Sequence, residues 1–248
     1  MELLHAIGDG FLSVVGHLGL NTELMERYGP RFLDGVWVTL KLVGISVFLG
    51  ALLALPLAVA RVEGGKFLSR LAFGYSYFFR GTPLLAQTFL VYYGAGQFRE
   101  QLTDIGLWWF FRDAFNCAVF TFTLNTAAYQ SEILRGGIQS LPAGQVEAAF
   151  SLGLSRFLAY RKVVLPQAIA IGLRPLGNEL ILMIKSSAIA SVITVYDLMG
   201  VTRLAFSRSY DMEVYLWAAV LYLLMVEVVR RVWDVLERRL NRHLLISR

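Results

Sequence analysis

The chain has 248 residues, of which 56% are hydrophobic and 17% charged, and its mean hydropathy is +0.57. Soluble domains usually carry about 25% charged residues, so the composition excludes an ordinary soluble domain, and several bilayer spans would leave no length for a catalytic domain beside them. The formal charge of +5 has to be located before it is assigned to a nucleic acid or to membrane topology, and the one cysteine, Cys117, has no partner for an internal disulfide.

Residues 1–31 mix short apolar runs with Gly8, Gly10, Gly16 and Gly19, a pattern too interrupted for a spanning helix. Residues 1–20 contain no Lys or Arg, so the basic start of a cleaved signal is missing. We expect residues 1–34 to be an external arm, interfacial or loose. Residues 42–60 carry no charge and predict a first span beginning near Val36, with Lys41 snorkelling at one end and Pro56 placed to kink it. Residues 71–95 are apolar apart from Arg80 and Gln87 and predict a second span, which Gly81-Thr82-Pro83 should break or bend. Residues 97–113 read as a polar loop with Trp108 and Trp109 suited to a membrane interface. Spans three, four and five are expected at 114–134, 165–185 and 214–233, with a re-entrant or in-plane piece at 186–212 that needs protein or water around its backbone. Residues 234–248 form a basic tail. The expected fold class is an all-α integral membrane protein with five transmembrane helices.

Five spans place the termini on opposite sides. The loops around Arg61, Lys66 and Arg70, around Arg135, Arg156, Arg161 and Lys162, and the tail from Arg230 onward then share one side. The other side holds only Arg27, Arg31, Arg99, Arg112, Arg203 and Arg208. Positive residues stay inside, which predicts an external N-terminus and a cytoplasmic C-terminus. The basic balance then records topology, and no nucleic-acid partner is implied.

Residues 140–166, SLPAGQVEAAFSLGLSRFLAYRKVVLP, lie between two of these spans on the basic side. Pro142 suits the first turn of a helix and Gln145, Glu147, Ala148 and Ala149 continue it. Gly153 is placed to end that helix and Ser155 to cap a second one carrying Arg156, Arg161 and Lys162, with Pro166 opening the next apolar segment. The expectation is two short helices meeting at an angle, with Ala149 and Gly153 leaving one face nearly bare for another surface to approach.

The order Glu147-Ala148-Ala149, then Gly153, then Val163-Val164-Leu165-Pro166 resembles the EAA loop of permease subunits in ATP-binding-cassette importers. Phe79-Arg80-Gly81-Thr82-Pro83-Leu84-Leu85, residues 128–138 (AYQSEILRGGI) and Asn178-Glu179-Leu180-Ile181 resemble the polar amino-acid branch of that family. Met183-Ile184-Lys185-Ser186-Ser187 is similar to its basic and opine importers. The resemblance spans roughly residues 35–231 and implies a type I ABC importer permease (MetI-like) bundle in the bacterial inner membrane. It also implies a docking site for a cytoplasmic ATPase dimer at Glu147, Ala148, Ala149, Gly153 and Arg156. Further implied partners are a sister permease or second copy, an external binding protein and an amino-acid substrate.

The chain has no G-x-x-x-x-G-K-[ST] phosphate loop, no H-E-x-x-H and no G-x-S-x-G. We therefore expect no bound cofactor, no catalytic residue and no metal site here, with ATP and Mg used by the partner. Ionisable groups at mid-bilayer cost about 2.5–3.5 kcal/mol on insertion scales and need a reason to be there. Asn125, Tyr129 and Glu132 form one stripe of the third span, while Asn178 with Lys185 and Glu179 with Ser186 form adjacent stripes of the fourth. These are the candidate substrate path, with Glu179 for a cationic group. Opposed readings are that Glu179 pairs with Arg174 or Lys185, and that Glu132 serves contacts near Arg135. Arg80 is either a carboxylate ligand or a structural residue at the helix break. An ion- or proton-coupled secondary transporter using Glu132 and Glu179 as a relay is the rival to an ATP-driven importer, and a non-transporting scaffold is a third reading.

Overall fold

The computed structural model describes residues 22–240, and the expectations for residues 1–21 and 241–248 lie outside it. All regular structure among the described residues is helical. The first helix, α1 (Thr22–Glu63), begins well before the expected start and runs through Pro30 and Pro56. Its buried residues Tyr28, Phe32, Thr39, Val43, Ser46, Ala54 and Ala58 recur at helical spacing. Burial of Tyr28 and Phe32 against the core outweighs the one backbone hydrogen bond that Pro30 forfeits. Residues 22–34 are thus a helical extension rather than a loose arm.

The second expected span is divided into α2 (Lys66–Gly81) and α3 (Leu84–Gln97). Both halves pack on α6 (Ala114–Gln139), and only α2 also packs on α1. Residues 97–113, expected as a loop, wind into α4 (Arg99–Asp104) and α5 (Trp108–Phe111). After α7 (Ala143–Ser151) the chain forms α8 (Arg156–Ala159), a π turn at Tyr160–Val164 and α9 (Leu165–Ser186). A 3₁₀ segment, Ser187–Ile193, leads to α10 (Leu198–Ser209) and then α11 (Glu213–Leu240). Residues 234–240 of the tail continue α11. Four of the five expected spans fall within single helices, and the second is interrupted at Thr82-Pro83. Among the described residues, two continuous runs qualify by length and composition to cross a membrane, Glu26–Glu63 and Arg156–Ile193.

The centre of the bundle is α6, which packs against α1, α2, α3 and α9. Small residues let the backbones approach. A Cβ on Gly50 would meet Thr126 Cγ2 at 2.5 Å, and one on Gly137 would meet the Ala168 carbonyl oxygen at 2.6 Å. Cys117, fully buried in α6, donates its thiol proton to the Phe111 carbonyl at 3.2 Å.

Within residues 187–209, Ser187, Ala190, Ile193, Asp197, Leu198, Val201, Thr202 and Ala205 are buried in protein, while Val192, Tyr196 and Arg203 are exposed. Asp197 caps α10 by accepting from Gly200 N–H (2.9 Å), and Thr39 Oγ1 accepts from Leu198 N–H (3.1 Å). The Tyr222 hydroxyl lies 3.4 Å from Asp197 Oδ2, tying α11 to this turn.

Candidate functional site

The break between α2 and α3 frees carbonyls that would otherwise face an apolar interior. Thr82 and Pro83 are extended, and Pro83 has no N–H to return. Gln87, one turn into α3, resolves this: its Nε2 lies 2.9 Å from Phe79 O, 3.1 Å from Thr82 O and 2.7 Å from Thr82 Oγ1. From α6, Asn125 Nδ2 donates to Phe79 O (2.9 Å) and to Gln87 Oε1 (3.1 Å). Replacing Gln87 by Leu would take this donor from Thr82 O and the acceptor from Asn125 while leaving Phe79 O bonded to Asn125, and we expect a loss of about 1–3 kcal/mol, read as a lower unfolding midpoint of the detergent-solubilised chain. A midpoint unchanged from the native one would show that the break is held by other means.

The satisfied break forms one wall of a cavity of about 450 Å³. Arg80, Asn125, Tyr129, Glu179 and Ser186 line it together with Met183, so five of the eight expected path and carboxylate-site residues converge there. Glu179 is 7% exposed. Its Oε1 accepts from the Thr126 hydroxyl at 3.1 Å. Among the described residues no cation comes within 4.0 Å of it: Arg174 pairs instead with Glu237 at 3.3 Å, and Lys185 is exposed on another face. The structure therefore does not realise the pairing of Glu179 with Arg174 or Lys185. Burying a carboxylate with one neutral donor is costly unless a cation joins it.

Arg80 faces the same cavity. Its guanidinium sits over the Tyr129 ring at 5.4 Å from the centroid and 3.8 Å from Glu132 Oε2. The two expected roles for Arg80, structural and carboxylate-facing, thus fall on one side chain. Glu132 does not line the cavity with the other acidic residue. It lies one turn further along α6 and is gripped by Arg61 Nε (3.1 Å) and Arg135 Nε (2.8 Å), beside a smaller void of about 320 Å³ that Arg80 also lines. Asn178 departs from the expected path as well: it is exposed, because one residue's rotation along α9 turns it away from the face that Glu179 and Ser186 share. Thr126 and Gln87, polar residues within apolar runs, were the site residues that the stripe pattern passed over. Their signal was their polarity at buried helix positions.

The other expected site is the turn between α6 and α9. Gly153 adopts φ +77°, with Gly153 N–H bonded to Phe150 O (2.9 Å) and Leu154 N–H to Ala149 O (3.2 Å), the pair of bonds of a Schellman ending. Ser155 then accepts from Leu158 N–H at 3.4 Å. Two expectations are corrected. The second helix is not a separate short one but the start of the run into α9, because the π turn, with Leu165 N–H bonded to Tyr160 O, absorbs the donor missing at Pro166. Ala149 and Gly153 also do not share a bare face: Ala149 is buried inward, while Gly153 lies in the turn beyond the helix. What faces outward is Glu147, Ala148 and Arg156 with Phe150, Leu152 (81% exposed) and Phe157 (73%). A charged and apolar patch of this kind is suited to burial against another protein.

Residues 46–242 match the family model described as binding-protein-dependent transport system inner membrane component. The chain belongs to that family. It is therefore an inner-membrane component of a transport system, and the permease reading stands over that of an ion-coupled secondary transporter. The chain is 43% identical over 226 residues to the nopaline transport system permease protein NocM of Agrobacterium fabrum, covering 91% of this chain and 94% of that one. It is 43% identical over 225 residues to the histidine/lysine/arginine/ornithine transport system permease protein HisM of Salmonella typhimurium, covering 89% and 94%. Among solved structures, an amino acid ABC transporter crystallised with histidines matches with TM-score 0.74 and 38% identity, over 87% of this chain and 96% of that one. An inward-facing MetNI methionine ABC transporter matches in fold, with TM-score 0.71 and 20% identity over 87% and 98%.

Proposed function

We propose that this family member is the permease subunit of an ATP-driven importer for amino acids bearing a second cationic group, the basic and opine classes, and that the cavity between Arg80 and Glu179 receives the substrate. The observation that carries the reading is Glu179, buried and, among the described residues, with no cation within 4.0 Å, across the cavity from Arg80. A substrate ammonium or guanidinium supplies that cation, and Arg80 stands ready for the carboxylate. The relatives named for nopaline and for basic amino acids support the substrate class. Translocation proceeds by alternating access around this site. The N-terminus lies outside, and the C-terminus and the α7 turn lie in the cytoplasm.

In this reading the chain binds no cofactor and hydrolyses nothing. A cytoplasmic ATPase dimer uses ATP and Mg and docks on Glu147, Ala148, Gly153 and Arg156, with Phe150, Leu152 and Phe157 completing the contact and Ala149 supporting it from the buried side. A sister permease or second copy completes the membrane unit, and an external binding protein delivers substrate. The test is to purify the tagged chain in mild detergent with its stoichiometric companions. We expect an ATPase with the native chain and at least tenfold less with Glu147→Lys or Leu152→Asp, since each places an unmatched charge at the centre of a buried patch (about 1.4 kcal/mol per factor of ten). A native chain that purifies without an ATPase, or variants that retain it in full, would overturn the proposal.

A further inference from the structure

The last turn of α1 holds two other elements at once. Glu63 Oε1 accepts a hydrogen bond from the Tyr160 hydroxyl at 2.6 Å, and Glu63 Oε2 lies 3.7 Å from Arg156 Nη1. Two residues earlier, Arg61 Nε donates to Glu132 Oε1 at 3.1 Å. The other oxygen of Glu132 takes Arg135 at 2.8 Å and faces Arg80 at 3.8 Å. Arg80 is the loosest member, 44% exposed at its side chain, and it lines the larger cavity. The Arg156 pair is exposed and weak, so the Tyr160 hydroxyl is the main hold on Glu63.

Two sequence-distant contacts thus meet in one helical turn. Tyr160 opens the π turn that leads into α9, and π turns of this kind occur frequently at functional sites. On the other side, Arg61 reaches the α6 carboxylate that shares Arg80 with the cavity. Beside the covalent routes through α6 and α9, the end of α1 is a third connection between the docking turn and the Arg80 wall, made by side chains alone. Energetic coupling needs such a connected element whose position both ends can bias.

We infer that Glu63 is a positioning residue that makes the end of α1 follow the docking turn, so that ATPase closure moves Arg61, Glu132 and Arg80 and thereby one wall of the substrate cavity. The inference rests on the ATP-driven importer reading. A residue that only staples a loop would alter stability alone, whereas Glu63 alters how the cavity responds to nucleotide.

The test uses the whole complex, the chain with its co-purified ATPase in liposomes, and Gly81→Cys as a reporter beside Arg80. A Cβ at Gly81 meets no atom within 4 Å, so the reporter fits. The rate of labelling by a water-soluble maleimide is read with and without ATP and Mg. With native Glu63 we expect ATP to change the rate by roughly five- to tenfold, the scale of ordinary allosteric coupling. Glu63→Ala should flatten that response while the ATPase stays bound, Tyr160→Phe should do the same, the pair should be no worse than either alone, and Glu63→Gln, whose amide oxygen still accepts from the Tyr160 hydroxyl, should retain most of it. An ATP response in Glu63→Ala equal to the native one, or single effects that multiply in the pair, would overturn the inference. Absence of a bound ATPase from the native complex would instead overturn the importer reading, and the inference with it.

Discussion

Glu179→Gln is expected to lower uptake of a cationic amino acid by about two orders of magnitude while the ATPase still co-purifies. The amide keeps the volume and can still meet the Thr126 hydroxyl, so the cavity should not collapse. What it removes is the charge. Truncating one member of a buried, hydrogen-bonded charge pair typically costs 2–5 kcal/mol, and about 2.7 kcal/mol corresponds to the hundredfold expected here. Uptake of labelled L-arginine, L-histidine and octopine by cells expressing the complete transporter checks this, with Glu132→Gln as comparison. Glu132 is already neutralised by Arg61 and Arg135, so its loss should disturb stability before substrate affinity. Unchanged uptake with Glu179→Gln would remove Glu179 from the site.

The second large effect separates two adjacent glycines. Gly137→Ala would place a Cβ 2.6 Å from the Ala168 carbonyl oxygen, a backbone atom that cannot yield without moving α9 away from α6. Overpacking of this kind costs about 1–3 kcal/mol, and a larger side chain such as Val should abolish the folded bundle. At Gly136 a Cβ meets no atom within 4 Å, and alanine there should be neutral or stabilising by up to about 1 kcal/mol from helix propensity. Unfolding midpoints of the two solubilised variants decide the matter: equal midpoints would mean that the α6 and α9 backbones are not held at this distance.

Much of the architecture could be read from the residues because the relevant chemistry was local. Gly153 ends a helix and Ser155 starts one for reasons confined to a few residues, and Gly81-Thr82-Pro83 breaks a helix wherever it falls. Misreadings arose where distant packing overruled a local signal. The first span was expected to begin near Val36, yet Tyr28 and Phe32 are buried and the helix already runs from Thr22. Pro166 looked like a new start, but the π turn carries the helix through it.

In the site, Glu179 and Arg80 stood out as intramembrane charges. Gln87 did not stand out, because its role depends on Asn125, 38 residues away, and on carbonyls that are freed only once the helix breaks. The stripe of Asn125, Tyr129 and Glu132 was real as a helical face, but a face does not say where one cavity stops and another begins. Arg61, from a different helix, draws Glu132 into the neighbouring void.

Cys117 gives the molecule a practical property. It is the one cysteine in the sequence, and its sulfur is enclosed in the core against the Phe111 carbonyl. Water-soluble thiol reagents therefore find a silent background in the folded native chain. A cysteine introduced at an exposed position, such as Leu152 in the docking turn, becomes the sole reactive thiol without prior removal of the natural one. Conversely, any labelling of the unsubstituted chain reports opening of the α6 core itself, an internal alarm against mistaking unfolding for transport motion.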